Sequence, residues 1–302
     1  MRRSGHVSYT RVVTNRTQGI IAPVTSLTSA DSICHLAEEL EDAARWLPRC
    51  LVGAAAFNFS ASFIMLIVIL FRAGDIAVAI DSPTGQPYIA ILLNATQSTA
   101  GTAVMVAYII FALIFCATNM VTTSSRQLFS FARDNGLPYS AWLAKVSPER
   151  RIPTNAIICT ACFTLILSAI LAGSPLAFNI IASLGAAAIL GSYMISIGTI
   201  TYRRLRGFKL LKTQFSLGRF ALPINIMALV FVTFAWVLAF FPAAPQPTAE
   251  SMNWSSLIFG VVLVGSLILY FAKKRHEYHG PVASVRETEE VDQAIDLDNW
   301  KT

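Results

Sequence analysis

Apolar residues gather in six stretches, 51–71, 102–122, 154–173, 176–200, 220–241 and 254–272. Each comes close to the roughly 20 residues that an α-helix needs to cross a bilayer's hydrocarbon core. Gly173-Ser174-Pro175 separates the third stretch from the fourth and predicts a tight antiparallel hairpin. Residues 17–37, TQGIIAPVTSLTSADSICHLA, are weaker: they hold Pro23 and carry Asp31 past the middle. An aspartate at the centre of a membrane helix costs about 2.5–3.5 kcal/mol on the insertion scale. This segment therefore either lies outside the bilayer or lines a polar cavity with partner helices. RQLFSFARDNGLP at 126–138 follows another rule. At about 100° per residue Leu128, Phe131 and Ala132 share one side, while Arg126, Ser130, Arg133 and Asp134 gather on the other. The pattern predicts an amphipathic helix stopped by Gly136 and Pro138. It either lies along the membrane interface or forms a solvated loop helix that fixes topology.

Composition turns these stretches into spans. Of 302 residues, 55% are apolar and 13% charged, against about 25% charged in a soluble domain. Met1-Arg2-Arg3 is followed by polar sequence, so no cleavable signal peptide is expected. The bases then orient the chain. Arg126, Arg133, Lys145, Arg150 and Arg151 lie between the second and third spans. Arg203, Arg204, Arg206, Lys209, Lys212 and Arg219 lie between the fourth and fifth, and Lys273-Lys274-Arg275 follows the sixth. The alternate loops carry Arg72 or no base. This alternation predicts a multi-pass protein with a cytoplasmic C-terminus and puts Asn94-Ala95-Thr96 outside. There Asn94 matches a glycosylation acceptor, and a chance match serves equally well. The tail from His279 to Thr302, acidic and polar, is expected to be disordered and cytoplasmic.

Candidate chemistry is sparse. Asp31, His35 and Glu38, spaced by four and three, would share one face of an α-helix, but a lone histidine argues for structural use rather than a metal site. Cys159 and Cys162 have redox spacing without a neighbouring base, and all five cysteines read as small buried residues. Ala187 and Gly191 form a small-xxx-small pair for close helix packing. No pattern calls for a cofactor or metal, none marks an enzyme, and the bases are topogenic, so a nucleic-acid partner has nothing to rest on.

Three motifs together resemble one family. DSICHLAEELEDAARWLPR fits the D-x-x-x-H-x-x-E-E-x-x-x-A-x-x-x-x-P-R pattern of the amino acid/polyamine/organocation (APC) permeases through Asp31, His35, Glu38, Glu39, Ala43, Pro48 and Arg49. SRQLFSFARDNGLP fits S-R-x-x-x-x-x-A-R-D-x-G-L-P through Arg126, Arg133, Asp134, Gly136 and Pro138, and RIPTNAI is similar to [KR]-x-P-x-x-A. The likeness is nearest to the fungal GABA, choline and amino acid permease branch. It implies an all-α membrane protein and a fragment of the LeuT-type (APC) fold, with six transmembrane helices. By its register residues 1–16 are a polar N-terminus, 17–40 a remnant of the family's broken sixth helix, 41–275 the transmembrane domain and 276–302 the tail. Ser29, Ala30 and Asp31 stand at the positions of the Gly-aromatic-Asp break that touches substrate in the family, with Asp31 keeping the family residue and Ser29 and Ala30 replacing the glycine and the aromatic. The resemblance implies transport of an amino acid or related amine, with a co-transported proton, across a plasma or vacuolar membrane. It also implies a truncated, inactive copy lacking the first repeat, whose site a helix partner would complete. The alternative is a short subunit that assembles with a full-length permease.

Overall fold

The computed structural model describes residues 23–24, 26, 28–149, 151–208, 215–242, 248 and 252–278. The polar N-terminus and the acidic tail from His279 lie outside the described residues. Helix is the only regular structure among the described residues: α1 Ala43–Arg72, α2 Ile76–Ile80, α3 Pro87–Thr96, α4 Thr99–Arg133, α5 Ser140–Leu143, α6 Thr154–Gly173, α7 Pro175–Leu205, α8 Ala221–Leu238 and α9 Ser255–Ala272. Tighter 3-10 turns cover Thr28–Glu39, Gly218–Phe220 and Lys274–His276. The chain forms two compact units, Met1–Met120 with Gly185–Met252, and Val121–Leu184 with Asn253–Thr302.

Among the described residues five helices are long and apolar enough to cross a membrane: α1, α4, α7 from Leu176, α8 with its preceding turn, and α9. The stretch expected as the third of six spans is also helical. Its 20 residues in α6 reach about 30 Å, but only 154–170 form a continuously described apolar run. Exposure supports a lipid solvent. Phe57 is 74% exposed, Phe71 85%, Val104 71% and Tyr108 72%, a density of bare aromatic and aliphatic surface that water would not tolerate. Among the described residues α1 has 30 positions and none that is buried. The cysteines depart from expectation for the same reason. Cys50, Cys116 and Cys162 are exposed and Cys159 half-buried, because helix sides that face hydrocarbon are not covered by protein; Cys34, in the 3-10 stretch, is exposed as well.

α4 corrects a second expectation. The amphipathic stretch 126–133 is the C-terminal end of this 35-residue helix and not a separate interfacial one. At 1.5 Å per residue α4 is about 52 Å long, well beyond the roughly 30 Å hydrocarbon core, so part of it extends past the lipid.

Protein-to-protein packing is concentrated where small residues permit it. In the first unit Leu190, Val232 and Ala235 form a buried cluster with Tyr193, Met194, Ile197 and Trp236 against it. Ala186, Ala187 and Gly191 are buried along the same side of α7. The small pair Ala187 and Gly191 thus does what its spacing predicts. With only a methyl at Ala187, the Trp236 indole Nε1–H reaches across from α8 and donates to the Ala187 carbonyl at 3.1 Å. Further along, Gly198 approaches Leu229. Such contacts replace the hydrophobic drive that lipid-embedded helices lack.

We expect Trp236→Phe, which removes the indole donor and part of its ring, to lower stability by about 1–3 kcal/mol. Ala187→Leu should cost about 1–3 kcal/mol by forcing the helices apart. Thermal unfolding of the purified chain in detergent measures both, and an unshifted midpoint for Ala187→Leu would contradict the seam.

Candidate functional site

Three regions carry the residues singled out by sequence. The first is the 12-residue 3-10 helix Thr28–Glu39, packed against the start of α1. It contains Ser29, Ala30 and Asp31, whose side chains, like those of Glu38 and Glu39, lie outside the described residues. Runs of this helix beyond three or four residues are uncommon and mark strain or a hinge. Pro23, Val24 and Ser26 before it are α-helical, so the pitch tightens at the stretch where a break was expected. The tighter pitch also moves the expected face. At three residues per turn, positions 31 and 35 stand about 120° apart, while 35 and 38 remain in line. Asp31, His35 and Glu38 therefore do not share one face. His35 is half-buried and partnered. Among the described residues no group of three His, Cys, Asp or Glu side chains could hold a metal ion.

A left-handed turn at Asp42 (φ 50°) ends this stretch and starts α1. Pro48 lies inside α1, where it withholds an N–H from the ladder. On the adjoining turn the guanidinium carbons of Arg45 and Arg49 lie 5.8 and 5.7 Å from the Trp46 ring centre. The signature residue Arg49 thus shares an exposed tryptophan ring with Arg45.

The second region is a pocket of about 480 Å³ between the end of α1, α2 and α3, with Asp75, Val78, Ala90, Leu93, Asn94 and Gln97 in its walls. Its geometry depends on Gly74. The backbone there is left-handed (φ +64°), and a Cβ would lie 2.5 Å from Asn94 Nδ2. The Asn94 amide donates to the Arg72 carbonyl at 3.2 Å, capping an acceptor that α1 leaves open at its end. Gln97 Nε2–H in turn donates to the Asn94 carbonyl at 2.7 Å. Thr96, the other sequon residue, pairs its hydroxyl with buried Thr102 at 2.9 Å. The nitrogen that a glycan would occupy is thus structural. Sequence alone offered only the sequon; the capping role needs the 22-residue return of the chain.

The third region is the loop after α4. Gly136 N–H donates to the Phe131 carbonyl and Asn135 N–H to that of Ala132, both at 3.0 Å. This is a Schellman stop, and its left-handed residue is Asn135 (φ 59°), not Gly136. Glycine at 136 serves a different need. A Cβ there would collide with the Phe131 ring, 2.7 Å from Cδ2. Phe131 is in turn met edge-on by Tyr278, with ring centres 5.9 Å apart. Arg133 and Asp134 form only a loose pair at 3.8 Å, while Arg126 is half-buried and partnered. Beyond Pro138, Ser140 Oγ accepts from the Leu137 N–H at 3.2 Å and donates to the Leu137 carbonyl at 2.6 Å. Asn155 Nδ2–H then ties α6 to the Trp142 carbonyl at 2.8 Å. Nothing in the sequence pointed to Tyr278, and Lys274, read only as an orienting base, is buried, with its Nζ holding Glu277 at 2.8 Å. That hydrogen bond, and the charges of Lys274 and Lys273, hold the Glu277 carboxyl below its ordinary range. Its lowered value means that the bond contributes above the usual carboxylate range and is lost as pH falls through that lowered value.

The sequence profile of a family described as amino acid permease matches residues 6–264. The chain is 32% identical over 240 residues to a putative amino acid/polyamine transporter of Macrophomina phaseolina, covering 79% of this chain and 53% of that protein. It is 27% identical over 278 residues to the choline transporter of Saccharomyces cerevisiae, covering 92% and 49%. It is also 27% identical over 271 residues to amino-acid permease 2 of Neurospora crassa, covering 87% and 48%. The chain spans about half the length of these curated relatives. No solved structure matches.

Two outcomes follow from the caps. Gly136→Ala should displace Phe131 and destabilise the chain by about 1–3 kcal/mol, whereas Asn135→Gly, which suits the left-handed position, should leave the thermal midpoint nearly unchanged. Asn94→Ala should cost about 1 kcal/mol, and the chain expressed in a glycosylating host should keep its gel mobility after enzymatic deglycosylation.

Proposed function

The chain belongs to the amino acid permease family, a family of transporters and not of enzymes, and from that premise we propose that it forms the second-repeat part of a carrier for amino acids or related amines. In this reading the first repeat, supplied upstream in a longer chain or by another polypeptide, completes the substrate site. The observation that carries it is α1: a 30-residue apolar helix with no buried residue among those described, beside a tightened 3-10 stretch at the position where the family breaks a helix. The polar segment with Asp31 beside this apolar helix fits a cavity wall rather than a surface that faces lipid. Asp31 and the backbone of Ser29 and Ala30 would meet the substrate's ammonium group, with a proton as the coupled ion.

The base distribution supports a topology in which the loop after α4, the loop after α7 and the C-terminus face the cytoplasm. The membrane would be plasma or vacuolar. The same bare α1 also favours the second reading, a short subunit that pairs with a full-length permease.

The test is uptake of labelled GABA, choline and neutral amino acids in a permease-deficient fungal strain. The 302-residue chain alone should match the empty vector. Co-expression with the N-terminal half of a full-length relative should restore saturable uptake. Asp31→Ala in that pair should reduce uptake about tenfold, equal to about 1.4 kcal/mol. Saturable uptake by the chain alone would overturn the half-site reading, and unchanged uptake with Asp31→Ala would remove Asp31 from the site. Co-purification with an intact permease, without uptake by the reconstituted pair, would support the subunit reading instead.

A further inference from the structure

The end of the first unit where α7 finishes and α8 begins holds an unusual set of groups. Six bases, Arg203, Arg204, Arg206, Lys209, Lys212 and Arg219, fall in 17 residues of sequence without an acid, and no Asp or Glu occurs anywhere between Glu149 and Glu250. Lys209 and Lys212 lie outside the described residues. Of the four arginines, Arg206 lies 5.4 Å from the Tyr202 ring centre and Arg219 5.1 Å from that of Phe220. Both rings are more than half exposed, as are Leu205 and Phe208. Aromatic rings bearing cations beside exposed aliphatic surface are suited to the headgroup level of a bilayer, where one side of a residue meets hydrocarbon and the other meets charge.

Within this rim two donors are buried and unmet. Arg204 Nε and Asn225 Nδ2 find no acceptor among the described residues. They belong to one seam. Ala187 meets Trp236, and Gly198 meets Leu229, so the antiparallel register advances from 187 to 198 on α7 as it recedes from 236 to 229 on α8. Arg204 follows Gly198 by six residues on α7 and Asn225 precedes Leu229 by four on α8, so both lie at the same end of this seam. Two donors of one kind with no acid nearby in sequence call for an acceptor that the described protein does not supply. Buried donors are rarely left so, because burying them costs more than their bond returns.

We propose that this end of the α7 and α8 seam is a binding site for the phosphate of an anionic membrane lipid. Arg204 Nε–H and Asn225 Nδ2–H donate to its oxygens, Arg203 and Arg206 neutralise its charge, and Tyr202 and Phe220 lie at the level of its glycerol and upper acyl chains. A lipid source is favoured over free phosphate because the exposed apolar residues surrounding the donors need hydrocarbon as well as an anion. A cluster of bases immediately beside a span is the composition expected of such a surface. The proposal needs only that the chain lies in a membrane; it does not depend on transport or on Asp31.

Native mass spectrometry of the 302-residue chain, titrated with phosphatidylserine, phosphatidylcholine or inorganic phosphate, tests it. Phosphatidylserine should be retained in preference to phosphatidylcholine, and phosphate alone should neither be retained nor displace it. Arg204→Gln should weaken that retention about fivefold, the effect of one base near the surface. Asn225→Asp is the sharper variant. Its carboxylate should pair with Arg204, keep the thermal midpoint in phosphatidylcholine at or above that of the parent, and abolish the preference for phosphatidylserine. Equal retention of both lipids by the parent chain, retention of phosphate without lipid, or an undiminished preference in a folded Asn225→Asp protein would each overturn the proposal.

Discussion

Hydrocarbon offers a backbone amide nothing to bond to, and the architecture follows from that scarcity. Every residue that enters the bilayer must satisfy its own N–H and C=O within a helix, so apolar runs become long helices and interruptions are confined to their ends. There each open group needs a specific partner. Asn94 meets the Arg72 carbonyl at the end of α1, the Asn135 and Gly136 amides close the end of α4, and Ser140 meets both polar groups of Leu137. The irregular parts of the chain are therefore its most constrained parts. This is a reason for long motifs to fall in loops while the spans tolerate almost any apolar side chain.

The same solvent changes what counts as a core. Apolar surface gains little by leaving lipid for protein, so a large exposed phenylalanine such as Phe71 in α1 is at home, and only close backbone approach rewards helix contact. Ala187, fully buried beneath the Trp236 indole, achieves that approach by having almost no side chain. Leu190 next to it supplies most of the volume. The seam is held by shape and one hydrogen bond rather than by burial of greasy area.

Much of this was legible before any coordinates. Span existence follows from apolar length, and the small-residue seam from the four-residue spacing of Ala187 and Gly191. The permease likeness rests on motifs long enough to be specific. What escaped was local geometry set by distant partners. Asp31 and His35 were placed on one face because an α pitch was assumed, and nothing in DSICHLAEE distinguishes that pitch from the 3-10 turn it adopts. Gly136 was read as the helix stop, yet Asn135 takes the left-handed conformation while Gly136 makes room for a ring five residues back. The sequon at Asn94 hid a cap whose acceptor lies 22 residues away. Tyr278 could not be seen at all, since its ring partner Phe131 is separated from it by most of the second half of the chain.

The overwound stretch Thr28–Glu39 has a mechanical side. A 3-10 turn rises about 2.0 Å per residue and an α turn about 1.5 Å, so its 12 residues would shorten by about 6 Å on relaxing to the commoner pitch. The same change unwinds the segment by about 20° at each step, and so turns one end relative to the other by well over half a revolution. A change of pitch alone would therefore move the two ends of this stretch both along its axis and around it.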